Sequence, residues 1–374
     1  MNAMTSAGAA GAAAPARIRF GIFDWLDERR PDDPTTLYDA RLTMLEYADQ
    51  AGFYCYHLAE HHWTPLCMAP SPNLFLAAAA QRTRRIRLGP LVYLLPLYHP
   101  LRLMEEICML DHLSHGRLEV GVGRGASPYE LAPFHVAIDE ARAIFEEALT
   151  IILQGLATGT VNYEGRYFTF KDVRAVLHPR QRPYPPLWYP TNYTRSVAWI
   201  GRHNFNLVFG SILRSLETVR EQFQIYHRER AAHRDDPTRF NAHVADPCYG
   251  IVRHVYVAET DAEAVRVARA AYAEHSYSFG YLWDLHGAER PLRRDDWDTA
   301  VAERIIFVGS PATVRAQLRD ALALTGANYF AGAFAFGNLT TEQTLRSLRL
   351  FAEEVMPHLQ TMERAPAPSA RGAE

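Results

Sequence analysis

The feature that most constrains the fold is a repeated alternation of short β-rich runs with segments of helical period, carried from residue 18 to residue 356. Such alternation is the signature of βαβ units, because two parallel strands need a crossover long enough to hold a helix. IRFGIF (18–23) reads as the first strand, and LYDARLTMLEYADQA (37–51) as a helix that Gly52 stops before the second strand begins at FYCYHL. Helices over 73–82 and 100–113 flank a third strand over 87–95, and LEVGVG (118–123) is the fourth. After a helix at 137–156, the Glu-Gly turn between aromatic flanks in VNYEGRYFTF (161–170) predicts a small hairpin inserted outside the sheet. PLWYPT (186–191), NLVFG (206–210) and YGIVRHVYVAE (249–259) supply strands five to seven, separated by helices at SVAWIGRHN and 215–232. A helix over 261–274, an irregular aromatic segment and a helix opened by Pro311 and closed by Gly326 precede the last strand, NYFAGAFAFG, and a helix at 340–356. Eight strand–helix repeats match a (β/α)8 TIM barrel with insertions; a doubly wound open sheet shares the alternation, so residue identities must decide.

Composition narrows the function classes. Of 374 residues 48% are hydrophobic and 22% charged, which is ample apolar material for a core. Lys plus Arg total 39 against 42 Asp plus Glu, and no basic run marks a nucleic-acid or anionic-membrane surface, so a small molecule is the expected partner. Cys55, Cys67, Cys108 and Cys248 are scattered without a C-x-x-C pair, which argues against a disulfide framework and fits the reducing cytoplasm. The apolar stretch LGPLVYLLPLYHPL is interrupted by Pro90, Pro96 and Pro100 and is too short to span a bilayer as a helix. The expected organisation is a disordered Ala/Gly-rich leader (1–16) without signal-peptide character, one barrel domain (17–358), and a disordered tail (359–374).

Several residues could carry chemistry. LAEHHW, at the end of strand two, sets Glu60, His61, His62 and Trp63 at the C-terminal rim, where barrel enzymes assemble their sites. An imidazole there can exchange protons near neutral pH, and alternation along a strand allows only one of His61 and His62 to face the pocket; His61 is the candidate. GVGRGAS (121–127) matches G-x-G-x-x-A, but Pro128 and Pro133 interrupt the helix that a dinucleotide turn requires. The better reading puts Arg124 at the end of strand four, its guanidinium able to fork onto a phosphate. His99, His112 and His115, near Glu105, Glu106 and Asp111, lack metal-ligand spacing, and no metal site is expected. The segment HSYSFGYLWDLHGAERP (275–291) fits either a pocket wall or packing against outer helices.

Taken together, four stretches resemble the bacterial luciferase-like flavin-dependent monooxygenases: AEHHW; LGPLVYLLPLYHPLRLMEEICMLDHLSHGRLEVGVGRG; TNYTRSVAWIGRHN; and VGSPATVRAQL with LRLFAEEVMPHL. The resemblance covers residues 17–358 and implies a two-component enzyme. In that scheme reduced FMN (FMNH2), supplied by a separate NAD(P)H-dependent flavin reductase, reacts with O2 to give a flavin hydroperoxide that oxygenates a small organic substrate. By the same resemblance His61 is the catalytic histidine that supports the hydroperoxide, and Arg124 grips the FMN phosphate. Asn192, Tyr193, Thr194 and Ser196 would give that phosphate backbone and hydroxyl donors. The Leu91–Val92 bond aligns with a non-prolyl cis peptide beneath the isoalloxazine, and a homodimer through helices near 73–113 is implied. Asn192 and Gly123 stand where luciferases usually carry an acidic residue and a reactive cysteine, so light emission is not implied. Deazaflavin-dependent hydride transfer on the same barrel is the alternative, with a metal-dependent hydrolase behind it.

Overall fold

A computed structural model describes residues 17–28, 33–210, 215–290 and 296–362. The expected leader lies outside the described residues, as does all but 359–362 of the expected tail.

Twelve strands are present in the described residues: β1 (Arg19–Asp24), β2 (Cys55–Leu58), β3 (Arg87–Pro90), β4 (Tyr93–Leu94), β5 (Val120–Gly123), β6 (Thr160–Glu164), β7 (Thr169–Arg174), β8 (Leu187–Thr191), β9 (Asn206–Phe209), β10 (Tyr249–Val257), β11 (Ile306–Gly309) and β12 (Tyr329–Ala333). Eight of them form the wall of a barrel. The parallel ladder runs β3–β2–β1–β12–β10–β9–β8–β5, and a bridge between Leu88 and Leu118 joins β3 back to the β5 segment. The closing contact is hydrogen-bonded both ways: Leu88 N–H donates to Arg117 O at 3.0 Å and Glu119 N–H to Leu88 O at 2.9 Å. Closure leaves no free edge among these strands, which is the solution a barrel offers and an open sheet does not. The (β/α)8 expectation therefore holds against the doubly wound alternative.

The helix boundaries follow from caps written in the sequence. Asp33 accepts from Thr35 N–H ahead of Pro34, and Gly52 ends that helix at φ 84°. Ser310 caps the Pro311–Thr325 helix, and Gly326 closes it at φ 72°. The predicted hairpin is β6–β7, antiparallel and separate from the barrel sheet.

Four expectations require correction. The single strand over 87–95 is two, β3 and β4, with the cis Leu91–Val92 peptide lying between them. The segment after residue 274 is not irregular: the Asp261–Leu285 helix runs through it, with Ala264, Val267, Ala268, Ala271, Tyr272 and His275 buried along one face. Finally, β11 was not anticipated. It pairs with the C-terminal half of β10, on the edge that β9 leaves after Ile251. The final helix also continues past Leu350 through a π-turn to Gln360.

Aromatic and ionic side chains fill the barrel interior. Trp188 donates Nε1–H to Glu119 at 2.6 Å, Arg87 pairs with the same carboxylate, and His57 Nε2 lies 2.9 Å from the Tyr329 hydroxyl. Burial lowers His57 to about 3, which keeps it a neutral core group. Phe23, Leu91, Trp188, Val208, Val252 and Tyr329 belong to one apolar cluster, and Trp188 and Tyr329 are fully buried in it.

Candidate functional site

The C-terminal ends of β1, β2, β3, β5, β8 and β9, with Val252 of β10, border one cavity of about 1050 Å³. That volume is at the upper end of the roughly 300–1,000 Å³ typical of a small-molecule pocket, so two ligands can share it.

β2 ends at Leu58, and past it His61 lines the cavity while His62 does not. His62 Nε2 lies 2.9 Å from Glu60 Oε1, and its ring packs edge-on against Phe134 at 4.9 Å. Glu60 is buried, which pushes its carboxyl upward against hydrogen bonds from His62, Leu94 N–H and the Tyr98 hydroxyl. The expectation that only one of the two histidines faces the pocket is met, although both lie past the end of β2, so strand alternation is not the cause.

Glu130, on the one-turn Pro128–Leu131 helix, was missed by sequence reasoning. Its Oε1 is 2.9 Å from His61 Nδ1 and also accepts the His62 backbone N–H at 2.9 Å. Burial would raise this carboxyl, but the His61 charge and hydrogen bond, with the His62 amide, outweigh it and hold Glu130 below the usual carboxylate range. A carboxylate only accepts, so His61 Nδ1 carries the hydrogen; in a neutral imidazole Nε2 is then the acceptor. The sole sequence signal was an acidic residue six positions beyond Arg124, and the 69-residue separation from His61 hides the pairing.

Leu91 and Val92, joined by the cis peptide, lie in the cavity wall beside Gly123. Arg124 lines the cavity directly after β5 and, among the described residues, makes no hydrogen bond or ion pair. Its charge, with that of Arg142, acts on the Tyr189 phenol, which burial nevertheless raises. Ser127 caps no helix with its side chain, and its Oγ is buried without a hydrogen-bond partner among the described residues. Asn192, Tyr193 and Ser196 line the same cavity, together with Arg195, whose guanidinium lies 5.5 Å from the Tyr193 ring centre. Thr194 is the exception: it is exposed at the start of the Thr194–Arg202 helix, and its side chain does not line the cavity.

Three of the residues weighed as metal ligands are engaged elsewhere. His112 Nε2 lies 3.0 Å from His178 O, Asp111 accepts from Gln181, and Glu106 accepts from Arg102 and Asn73. Among the described residues no three His, Cys, Asp or Glu side chains are grouped to hold an ion. No described helix is long and apolar enough to cross a membrane.

Comparison with known proteins agrees with this architecture. The profile of the luciferase-like monooxygenase family matches residues 18–329. An uncharacterised protein, y4wF of Sinorhizobium fredii, is 38% identical over 343 residues, covering 91% of this chain and 97% of its own. The oxygenase component of the flavin-dependent trigonelline monooxygenase of Acinetobacter baylyi is 26% identical over 264 residues, or 70% of this chain and 71% of that one. Among solved structures, the monooxygenase RslO1 of Streptomyces bottropensis superposes with a TM-score of 0.79 at 29% identity, covering 91% of this chain and 99% of its own. The chain therefore belongs to the luciferase-like monooxygenase family of oxidoreductases.

Proposed function

We propose that this chain is the oxygenase component of a two-component monooxygenase that binds FMN in its reduced form, receives it from a separate NAD(P)H-dependent reductase, and oxygenates a small organic substrate with O2. The observation that carries this reading is the pairing, in one cavity, of Arg124, a cation without a carboxylate partner among the described residues, and a carboxylate-oriented imidazole, His61. The relative described as a flavin-dependent oxygenase component supports the division of labour.

The side chains present fit the cofactor. Arg124 offers a fork for a phosphate, and Ser127 Oγ supplies a buried hydroxyl in the same cavity. The Thr194–Arg202 helix starts on Tyr193 without a capping side chain, so first-turn amides remain as anion donors beside Asn192 and Ser196. Thr194 would contribute through its amide rather than its exposed hydroxyl. Leu91 and Val92 give an apolar bed for a flat ring system. Reduced flavin supplies the electrons that activate O2. The protein's own part is to hold the phosphate, keep water from the apolar walls, and hold or move a proton at His61 Nε2 while Glu130 fixes the ring. A homodimer through the helices near 73–113 belongs to the same proposal, supported by the exposed Leu74, Met109 and Leu113. So does a cytoplasmic location, which the four free, buried cysteines suit.

The test is an anaerobic titration with FMNH2 followed by rapid mixing with oxygenated buffer, with absorbance recorded over time. Binding, and reoxidation slower than that of free FMNH2, is the expected result. Failure to bind, or reoxidation at the free rate, overturns the reading and makes a reduced deazaflavin the next ligand to titrate.

A further inference from the structure

The Pro128–Leu131 helix that carries Glu130 does not hold its position by itself. It is a single turn between two left-handed backbone positions, Gly125 at φ 81° and His135 at φ 60°, and Ser127 gives it no side-chain cap. One turn fixes several dihedral angles for very few hydrogen bonds, so a helix of this length persists only through tertiary contacts. Leu131 supplies one by being fully buried. Glu130 reaches the loop after β2, where it accepts from the His62 amide and meets His61 Nδ1. Phe134, on the turn that follows, lies edge-on to the His62 ring at 4.9 Å and 6.0 Å from Trp63, both on that same loop.

Tyr129 faces a different element, as successive residues of a helical turn must. Its ring stacks on His286 at 4.2 Å with a 5° tilt and meets the Trp283 indole edge-on at 5.1 Å and 84°. Trp283 sits in the last turn of the Asp261–Leu285 helix, and His286 is the residue that ends it. Stacked and edge-on contacts are the two arrangements that ring quadrupoles favour, and Tyr129 makes one of each. Trp283 lines the cavity, whereas Tyr129 and His286 are not part of its wall. Thr64 closes the triangle by donating its hydroxyl to Ser278 O at 3.2 Å, which ties the loop after β2 to the same long helix.

We propose that Tyr129 is a positioning residue for the reaction: its paired contacts with Trp283 and His286 fix the Pro128–Leu131 helix so that Glu130 meets His61 Nδ1. This rests on the proposed function only in giving His61 a proton to hold or move. Because Tyr129 is outside the cavity wall, its effect on His61 passes through Glu130. The ring is responsible rather than the hydroxyl, which has no hydrogen bond among the described residues.

The experiment is NMR of the unliganded full chain with isotope-labelled histidine, in which the ring-nitrogen shifts report which nitrogen carries the hydrogen. The His61 signals are identified by their loss in His61→Gln, and Glu130→Gln supplies the positions of a ring without its carboxylate. Tyr129→Ala is expected to move the His61 signals to those Glu130→Gln positions. Tyr129→Phe, which keeps the ring without the hydroxyl, should leave them where the parent has them. His286→Ala removes the stacked partner at an exposed site and should move them in the same direction as Tyr129→Ala. A role of Tyr129 confined to stability would lower the melting temperature and leave the His61 signals in place. Parent-like signals in Tyr129→Ala, or in His286→Ala where Tyr129→Ala does not fold, overturn the proposal, as does a Tyr129→Phe spectrum that matches Tyr129→Ala. FMN titration of the parent reports separately on the oxygenase reading, since the histidine spectra are recorded without flavin.

Discussion

His61 Nδ1 and Glu130 Oε1 are 2.9 Å apart, and this contact joins the loop after β2 to a one-turn helix 69 residues later in the chain. Glu130 is held below the usual carboxylate range, so it is ionised at neutral pH and contributes stability there. An acid with a depressed folded value stabilises fully above its unfolded value, about 4.3, and loses that contribution as pH falls through the folded value. Glu130→Gln should therefore lower stability at pH 7 by about 1–3 kcal/mol, the scale of a buried hydrogen bond to a charged group. The deficit relative to the parent should shrink as the pH falls below about 4. Thermal melts across that range check it; a deficit independent of pH would show that packing rather than charge is lost.

Arg124 has no carboxylate partner among the described residues, so its removal leaves no orphaned anion behind. Arg124→Ala should keep the melting temperature near that of the parent and weaken FMN by roughly 10- to 100-fold, the scale of one or two charge-assisted bonds. Riboflavin, which lacks the phosphate, should bind parent and variant alike. An equal loss for riboflavin would place Arg124 at the ring rather than the phosphate.

Two glycines of β5 should separate stability from binding. A Cβ on Gly121 would sit 2.4 Å from Pro90 O and 3.0 Å from Leu91 Cα, both backbone atoms that cannot turn aside. A Cβ on Gly123 meets a side chain instead, Val92 Cγ2 at 2.6 Å. Gly121→Ala is expected to cost about 1–3 kcal/mol or more by overpacking. Gly123→Ala should instead shift Val92 in the cavity wall and register mainly as weaker flavin binding. Paired melts and FMN titrations would distinguish the two, and equal stability losses would contradict the assignment.

Much of the barrel was legible because its signals are local. Asp33-Pro34 and Gly52, or Ser310-Pro311 and Gly326, mark helix ends within a few residues, and the eight apolar runs announce the strands. Arg124 and His61 could be proposed because each lies shortly after the C-terminal end of a strand, and strand ends in a barrel face the site. The partner of His61 could not, since Glu130 reaches it only through tertiary packing. The run IIFVG at 305–309 carries an adequate strand signal, but the count of eight is complete without it, and β11 lies outside the barrel ring. The aromatic segment misled for a different reason: bulky rings mask helical period, and Tyr277 and Tyr281 on the partly exposed side obscure the buried face of His275, Ser278 and Leu282.

Asp27 offers a test of opposite sign to Glu130. Burial pushes its carboxyl up to about 7, only partly offset by the Gly337 amide and the Arg41 charge. An acid whose folded value is raised binds its proton more tightly in the native state than in the unfolded chain. Its contribution therefore favours folding below the unfolded value, about 3.9, and declines as pH rises toward 7, where the buried carboxylate must be ionised. Asp27→Asn keeps an oxygen that can accept from Gly337 N–H and from His275 Nδ1–H but cannot ionise. The variant should gain on the parent as the pH rises from 5 to 8, by an amount on the order of a few kcal/mol at most, since one pH unit between the folded and unfolded values corresponds to about 1.4 kcal/mol. Melting temperatures of the two proteins at matched pH give the answer. Parallel curves would mean that Asp27 stays in one protonation state throughout.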